Sequence, residues 1–123
     1  MKRITGISLI ELLITVAILG IIMSIAIPSY NDSLLTTRRS EAMNELLKLQ
    51  MTQEGYRLEN SSYASSDDIT LPSSDYYTYS VGNIGASSYT LTATAKSSQT
   101  SDTGCTTLTL DQSANKTPSD CWE

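Results

Sequence analysis

Apolar residues are crowded along this chain rather than spread. From Ile7 to Ile27 the sequence reads ISLIELLITVAILGIIMSIAI, with Glu11 as its one charge. A helix of that length extends roughly 31 Å, about the thickness of a bilayer's hydrocarbon core. Past Pro28 the pattern becomes amphipathic. Leu35, Ala42, Met43, Leu46, Leu47, Gln50, Met51, Glu54 and Leu58 fall near i, i+3, i+4 and i+7 spacing, and Arg38, Arg39, Glu41, Glu45 and Lys48 form a polar face. Glu41 and Glu45 are a like-charge i,i+4 pair, whereas Glu45 and Lys48 are a favourable i,i+3 pair. The pattern predicts one helix from about Ser8 to about Leu58, kinked or loosened at Gly20 and Pro28. The turn-rich run from Asn60 to Asp68 ends it.

The second half changes period. Tyr76–Val81 reads YYTYSV, Tyr89–Ala95 reads YTLTATA and Thr106–Leu110 reads TTLTL. In the middle segment Tyr89, Leu91, Ala93 and Ala95 share one face and Thr90, Thr92 and Thr94 the other, the alternation of a half-buried strand. Leu108 and Leu110 point inward in the third. Short gaps favour an antiparallel meander. The expectation is an α+β fold, with a three- or four-stranded sheet laid on the amphipathic half of the helix.

The apolar segment admits several readings. Lys2 and Arg3 precede it, so the positive-inside rule places the N-terminus in the cytoplasm and the rest outside. Ser24-Ile25-Ala26 would serve as the cleavage site of an ordinary signal peptide, but the stretch is long for a signal core and holds a carboxylate. A plain transmembrane anchor must still explain Glu11, because an ionised carboxylate in lipid costs at least a few kcal/mol. A buried soluble helix fits neither the length nor the flanking charges. No Lys or Arg lies near Glu11 within the stretch, so its partner is expected from another chain, a new N-terminal amine or the interface.

Composition narrows the chemistry. Hydrophobic residues make up 40% of the 123, Phe is absent, and the net charge is −5. Such an acidic balance argues against broad nucleic-acid binding, which needs a basic footprint. There is no histidine, which removes the commonest general base and zinc ligand. No cofactor, metal site or enzyme constellation is evident. Asp67-Asp68 reads as a solvated turn, and Asp111, Asp120 and Glu123 lack a diagnostic calcium spacing. In an exported chain Cys105 and Cys121 read as one disulfide. For a loop of about 15 residues the entropy model gives about 3 kcal/mol.

The segment Lys2-Arg3-Ile4-Thr5-Gly6, followed by Ile7-Ser8-Leu9-Ile10-Glu11-Leu12, resembles the class III signal of type IV prepilins. That signal is a short basic leader ending in Gly, then an apolar residue and Thr/Ser-Leu-Ile-Glu-Leu. The resemblance implies cleavage between Gly6 and Ile7 by a prepilin peptidase and N-methylation of Ile7, although the family usually has Phe at that place. It implies that Glu11 pairs with the N-terminal amine of a neighbouring subunit during assembly. Gly20 falls where assembled filaments lose helicity, and Pro28 where many pilins carry proline. Arg38-Arg39-Ser40-Glu41-Ala42 looks like the stretch of charges that bridges subunits. Asn60-Ser61-Ser62-Tyr63-Ala64, Tyr89–Ala93, Gly104–Asp111 and Cys121-Trp122 resemble the head of the small PilE-like pilins of Gram-negative bacteria.

Carried through, the resemblance divides the chain into a leader (1–6), a transmembrane and filament-core half-helix (7–28), an amphipathic half (29–59) and a head with a β-meander and C-terminal disulfide loop (60–123). It implies a subunit of a type IV pilus, major or minor, serving adhesion, twitching motility or DNA uptake. Its partners would be other pilin subunits, the peptidase, the inner membrane and an assembly platform there. The alternatives are a type II secretion pseudopilin and a DNA-binding competence minor pilin. For DNA the distal candidates are Lys96 and Lys116, a poor electrostatic surface among many acids.

Overall fold

A computed structural model describes residues 3 and 5–122. Lys2 of the basic leader and Glu123 of the acidic tail lie outside the described residues. The chain divides into two compact units, one up to Leu34 and one from Leu35 onward.

Helix α1 (Leu9–Glu59) contributes to both, and its α-helical assignment runs without a break through Gly20 and Pro28. Pro28 lacks an N–H, so the Ser24 carbonyl loses its usual i+4 donor. In the first unit the apolar side chains from Ile7 to Ile27 are exposed, Leu9 to 76% and Ile25 to 71%. The helix is long and apolar enough there to cross a membrane.

The second unit is an antiparallel sheet of β1 (Tyr77–Gly82), β2 (Thr90–Ala95), β3 (Thr107–Asp111) and β4 (Lys116–Thr117), in the order β1-β2-β3-β4. The expected meander is present, with its first and third strands one residue later than the sequence pattern placed them and the short β4 added. Register aligns Tyr79 with Ala93 and Ala93 with Leu108. These side chains share the inner face, because strand residues alternate sides. Tyr77, Tyr79, Tyr89, Leu91, Ala93, Ala95, Leu108 and Leu110 are buried there against Ala42, Leu46 and Leu49 of α1.

The buried line of α1 is Ala42, Leu46, Leu49 and Gln53. Steps of four, three and four residues keep that line on one side of a helix with 3.6 residues per turn. Three expected stripe members are therefore corrected. Met51 is 75% and Leu58 89% exposed, and Glu54 is exposed as well, because 100° per residue carries them away from that line. Gln53 is fully buried. Its Nε2 donates to the Ala64 carbonyl at 2.8 Å and its Oε1 accepts from the Ala64 N–H at 2.7 Å. The chain leaving the helix is thus fastened back onto it. Tyr63 adds an edge-to-face contact with Tyr89, ring centroids 4.6 Å apart, and both hydroxyls reach Glu54 Oε1 at 3.4 Å. Burial beside the Glu54 carboxylate pushes the Tyr89 hydroxyl up to about 12.

Cys105 and Cys121 form the expected disulfide. Gly104 precedes it with φ +85, a left-handed conformation that disfavours side chains. The bond closes a loop that holds β3 and β4 and ends within the 3-10 turn at Ser119–Trp122. Replacing both cysteines by Ser is expected to lower the stability of this unit by about 3 kcal/mol. The check is the urea midpoint of the oxidised and double-Ser chains in detergent, read by the single Trp. Equal midpoints would mean that packing alone holds the loop.

Candidate assembly segment and head surface

Glu11 begins the first candidate region. Ser8 and Glu11 have the S-x-x-E spacing of a capping box. The Glu11 N–H donates to Ser8 Oγ at 3.2 Å, and the Ser8 N–H donates to Glu11 Oε2 at 3.1 Å. These bonds satisfy two N–H groups that a helix start otherwise leaves open. Within the chain the carboxylate thus has a backbone donor, while no ion pair engages it among the described residues. The S-x-x-E spacing that forms this cap is local and stands in the sequence itself. Thr15 Oγ1 donates to the Glu11 carbonyl at 2.8 Å, and Ser24 Oγ to the Ile21 carbonyl at 2.6 Å. Both hydroxyls are thus turned onto the backbone, where an apolar medium would demand a partner. Gly6 and Ile7 precede the helix, and Ile7 is 77% exposed. Around Gly20 nothing lies within 4 Å of where a Cβ would sit.

The second region is the surface of the head. Arg39 pairs with Asp102 at 3.2 Å, with side chains only 18% and 12% exposed. Burial raises the Asp102 carboxyl from its ordinary value, and Arg39 counters this in part. Gln99, fully buried, donates from Nε2 to the Leu35 carbonyl and to the Tyr77 hydroxyl, each at 2.9 Å. The short 3-10 segment Ser97–Ser101 is thereby locked onto the helix. The pattern of sequence gave no sign of Gln99, since its partners lie 64 and 22 positions away.

Lys96 and Lys116 are both exposed, but the fold does not bring them together. Lys116 stands opposite Leu110, which stands opposite Leu91, while Lys96 follows the far end of β2. Five residues along a strand and two strands across place them about 19 Å apart. Lys96 sits beside Tyr76, whose carbonyl accepts its N–H at 2.9 Å. Lys116 Nζ lies 5.4 Å from the Trp122 ring centroid, a cation–π distance. The acidic pairs are engaged locally. Asp68 accepts from Ser65 N–H and Oγ, and Asp111 from the Ser113 and Asn115 N–H groups and Asn115 Nδ2. These bonds hold both carboxyls below the ordinary value. Asp120 is exposed.

An exposed apolar helical segment that opens on a capped carboxylate, in a chain whose other unit is a disulfide-closed meander on the same helix, defines the pilin class of α+β subunits. Comparison agrees. Residues 1–27 match the prokaryotic N-terminal methylation motif. Residues 28–109 match the family described as type IV minor pilin ComP, DNA uptake sequence receptor. The chain belongs to this family of type IV pilins. A solved type IV pilin from Shewanella oneidensis superposes with a TM-score of 0.62 at 28% identity, covering 72% of this chain and 98% of that one. A fimbrial protein of Pseudomonas aeruginosa is 42% identical over 66 residues, 54% of this chain and 43% of its own length. The type II secretion system core protein G of Vibrio cholerae is 30% identical over 67 residues, 54% of this chain and 46% of its own. The chain thus spans less than half the length of these two relatives.

Proposed function

We propose that this chain is a structural subunit of a type IV pilus, assembled with other pilin subunits through the half-helix of residues 7–28. The observation that carries this reading is the run of exposed apolar side chains from Ile7 to Ile27 with one carboxylate, Glu11, at its start. Before assembly the segment spans the inner membrane as a single pass. Assembly exchanges its lipid contacts for helix contacts in the filament. One apolar environment replaces another, so the net change is small and the step reversible. The work comes from an assembly ATPase, not from this chain. A prepilin peptidase cuts after Gly6, and the amine released at Ile7 becomes the partner of Glu11 on a neighbouring subunit.

The test is intact mass and N-terminal sequencing of the protein from host membranes and from sheared filaments. The expected chain begins at Ile7 with one added methyl and is recovered in the filaments. A chain that begins at Ile27, or one that keeps its leader, overturns the reading. A processed chain absent from surface filaments points instead to the pseudopilin alternative, which the likeness to a secretion core protein supports.

A second reading, uptake of DNA as a competence minor pilin, is supported by the description of the matching family. In this chain Arg38 sits over the Tyr76 ring and Lys116 near the Trp122 ring, while Lys96 meets Tyr76 through its backbone N–H. Aromatic and cationic pairs of this kind suit nucleic acid, but the net charge of −5 opposes it. Binding of duplex DNA by the purified chain, lost in Lys96→Ala/Lys116→Ala, would establish it. Unchanged migration of DNA at low salt would remove it.

A further inference from the structure

The head contains a cavity of about 230 Å³ between the helix and the start of β1, lined among others by Arg38, Glu41, Glu45, Tyr76, Tyr77 and Tyr79. Its walls carry opposite charges that do not cancel one another. Arg38 Cζ lies over the Tyr76 ring, 3.8 Å from the centroid, and one guanidinium N–H donates to Ser98 Oγ at 3.2 Å. A guanidinium has five N–H donors in a fixed plane, so most of them stay open. Glu41 stands one turn further along the same helix, yet it forms no ion pair with Arg38 among the described residues. Glu45 is held at 3.1 Å by Lys48, which leaves its second oxygen free.

Tyr79 also lines the cavity. The residue as a whole is only 6% exposed, but its hydroxyl is not a buried orphan and stays accessible from the cavity. Its neighbour Tyr77 is instead engaged, accepting from Gln99. Burial, then the Glu45 charge, push the Tyr79 hydroxyl up to about 12, and Glu41 adds to this. It is therefore a neutral OH at physiological pH, close to both carboxylates and able to accept as well as donate.

An ammonium has three donors and no acceptor. Glu41, Glu45 and the Tyr79 hydroxyl offer it three oxygens. A carboxylate matches the open edge of Arg38. Counting Lys48, the two cations and two carboxylates around the cavity balance, so a simple cation or anion gains less there than a molecule carrying both charges. We propose that this cavity binds a small zwitterion of the amino-acid type, its carboxylate on Arg38 and its ammonium among Glu41, Glu45 and Tyr79.

Ligand-observed NMR titration of the detergent-solubilised full chain tests this. The probes are glycine, β-alanine and γ-aminobutyrate, with propylamine and propionate as single-charge controls. At least one zwitterion is expected to bind about tenfold more tightly than either control, the worth of one charge-assisted contact. Glu41→Gln, an exposed and nearly isosteric change, is expected to weaken it about tenfold, and Tyr79→Phe a few-fold. No binding by any zwitterion, equal binding by propylamine, or undiminished binding in a folded Glu41→Gln chain would each overturn the proposal.

Discussion

Replacing Gln53 by Ala is expected to destabilise the head by about 3 kcal/mol, although Gln53 is a polar residue on a helix otherwise rich in exposed charge. The amide makes both of its bonds to one residue, at 2.8 and 2.7 Å, and Gln53 and Ala64 are fully buried. Truncation leaves the Ala64 N–H and C=O without partners in a place water does not reach. Each orphaned group costs about 1–3 kcal/mol, and the lost side-chain volume adds to that. Gln53→Glu separates the two bonds. A carboxylate still accepts from the N–H but presents only oxygen to the carbonyl, so it should be nearly as damaging at neutral pH and milder once protonated. Urea titration of the detergent-solubilised chains, followed by Trp122 fluorescence, supplies the comparison. A Gln53→Ala midpoint within about 0.5 kcal/mol of the parent would show that the loop after the helix is held by the Tyr63–Tyr89 contact instead.

The largest functional effect is expected at Glu11. Glu11→Ala should insert and be processed but should enter filaments poorly, by about a hundredfold or more. Removing one member of a buried ion pair leaves the other uncompensated and costs about 3–5 kcal/mol. The capping box adds a separate contribution of about 1 kcal/mol. Two further variants divide them. Ser8→Ala removes only the cap, and filament yield should fall little. Glu11→Gln retains a capping side chain but no charge, and should fail almost as completely as Glu11→Ala. Quantifying sheared filaments against membrane-retained subunit gives the answer. Normal filaments from Glu11→Gln would mean that Glu11 serves the helix end alone, and the pairing with a neighbour's amine would have to be abandoned.

What the sequence determined by itself follows from periodicity and from chemistry that acts over short distances. The apolar run to Ile27, its long helix, the Tyr89–Ala95 alternation and the Cys105–Cys121 bond were all legible, because each depends on residues near one another in sequence or on a pairing with no alternative. The Ser8–Glu11 cap was equally local, written in the S-x-x-E spacing. Tertiary structure alone decided which residues complete the core and how the surface charges are arranged. Met51 and Leu58 have the right chemistry for the stripe but lie off the line that Ala42, Leu46 and Leu49 make with the sheet. Gln53 and Gln99 are buried because backbone carbonyls brought from elsewhere meet them. Arg39 and Asp102, 63 positions apart, become a half-sheltered pair. Lys96 and Lys116, two cations of similar standing in the sequence, end on opposite ends of the sheet. A hydrophobic pattern fixes which face of an element is covered. It does not say which distant polar group will arrive at that face, and that arrival decides whether a buried amide or carboxylate is stable or costly.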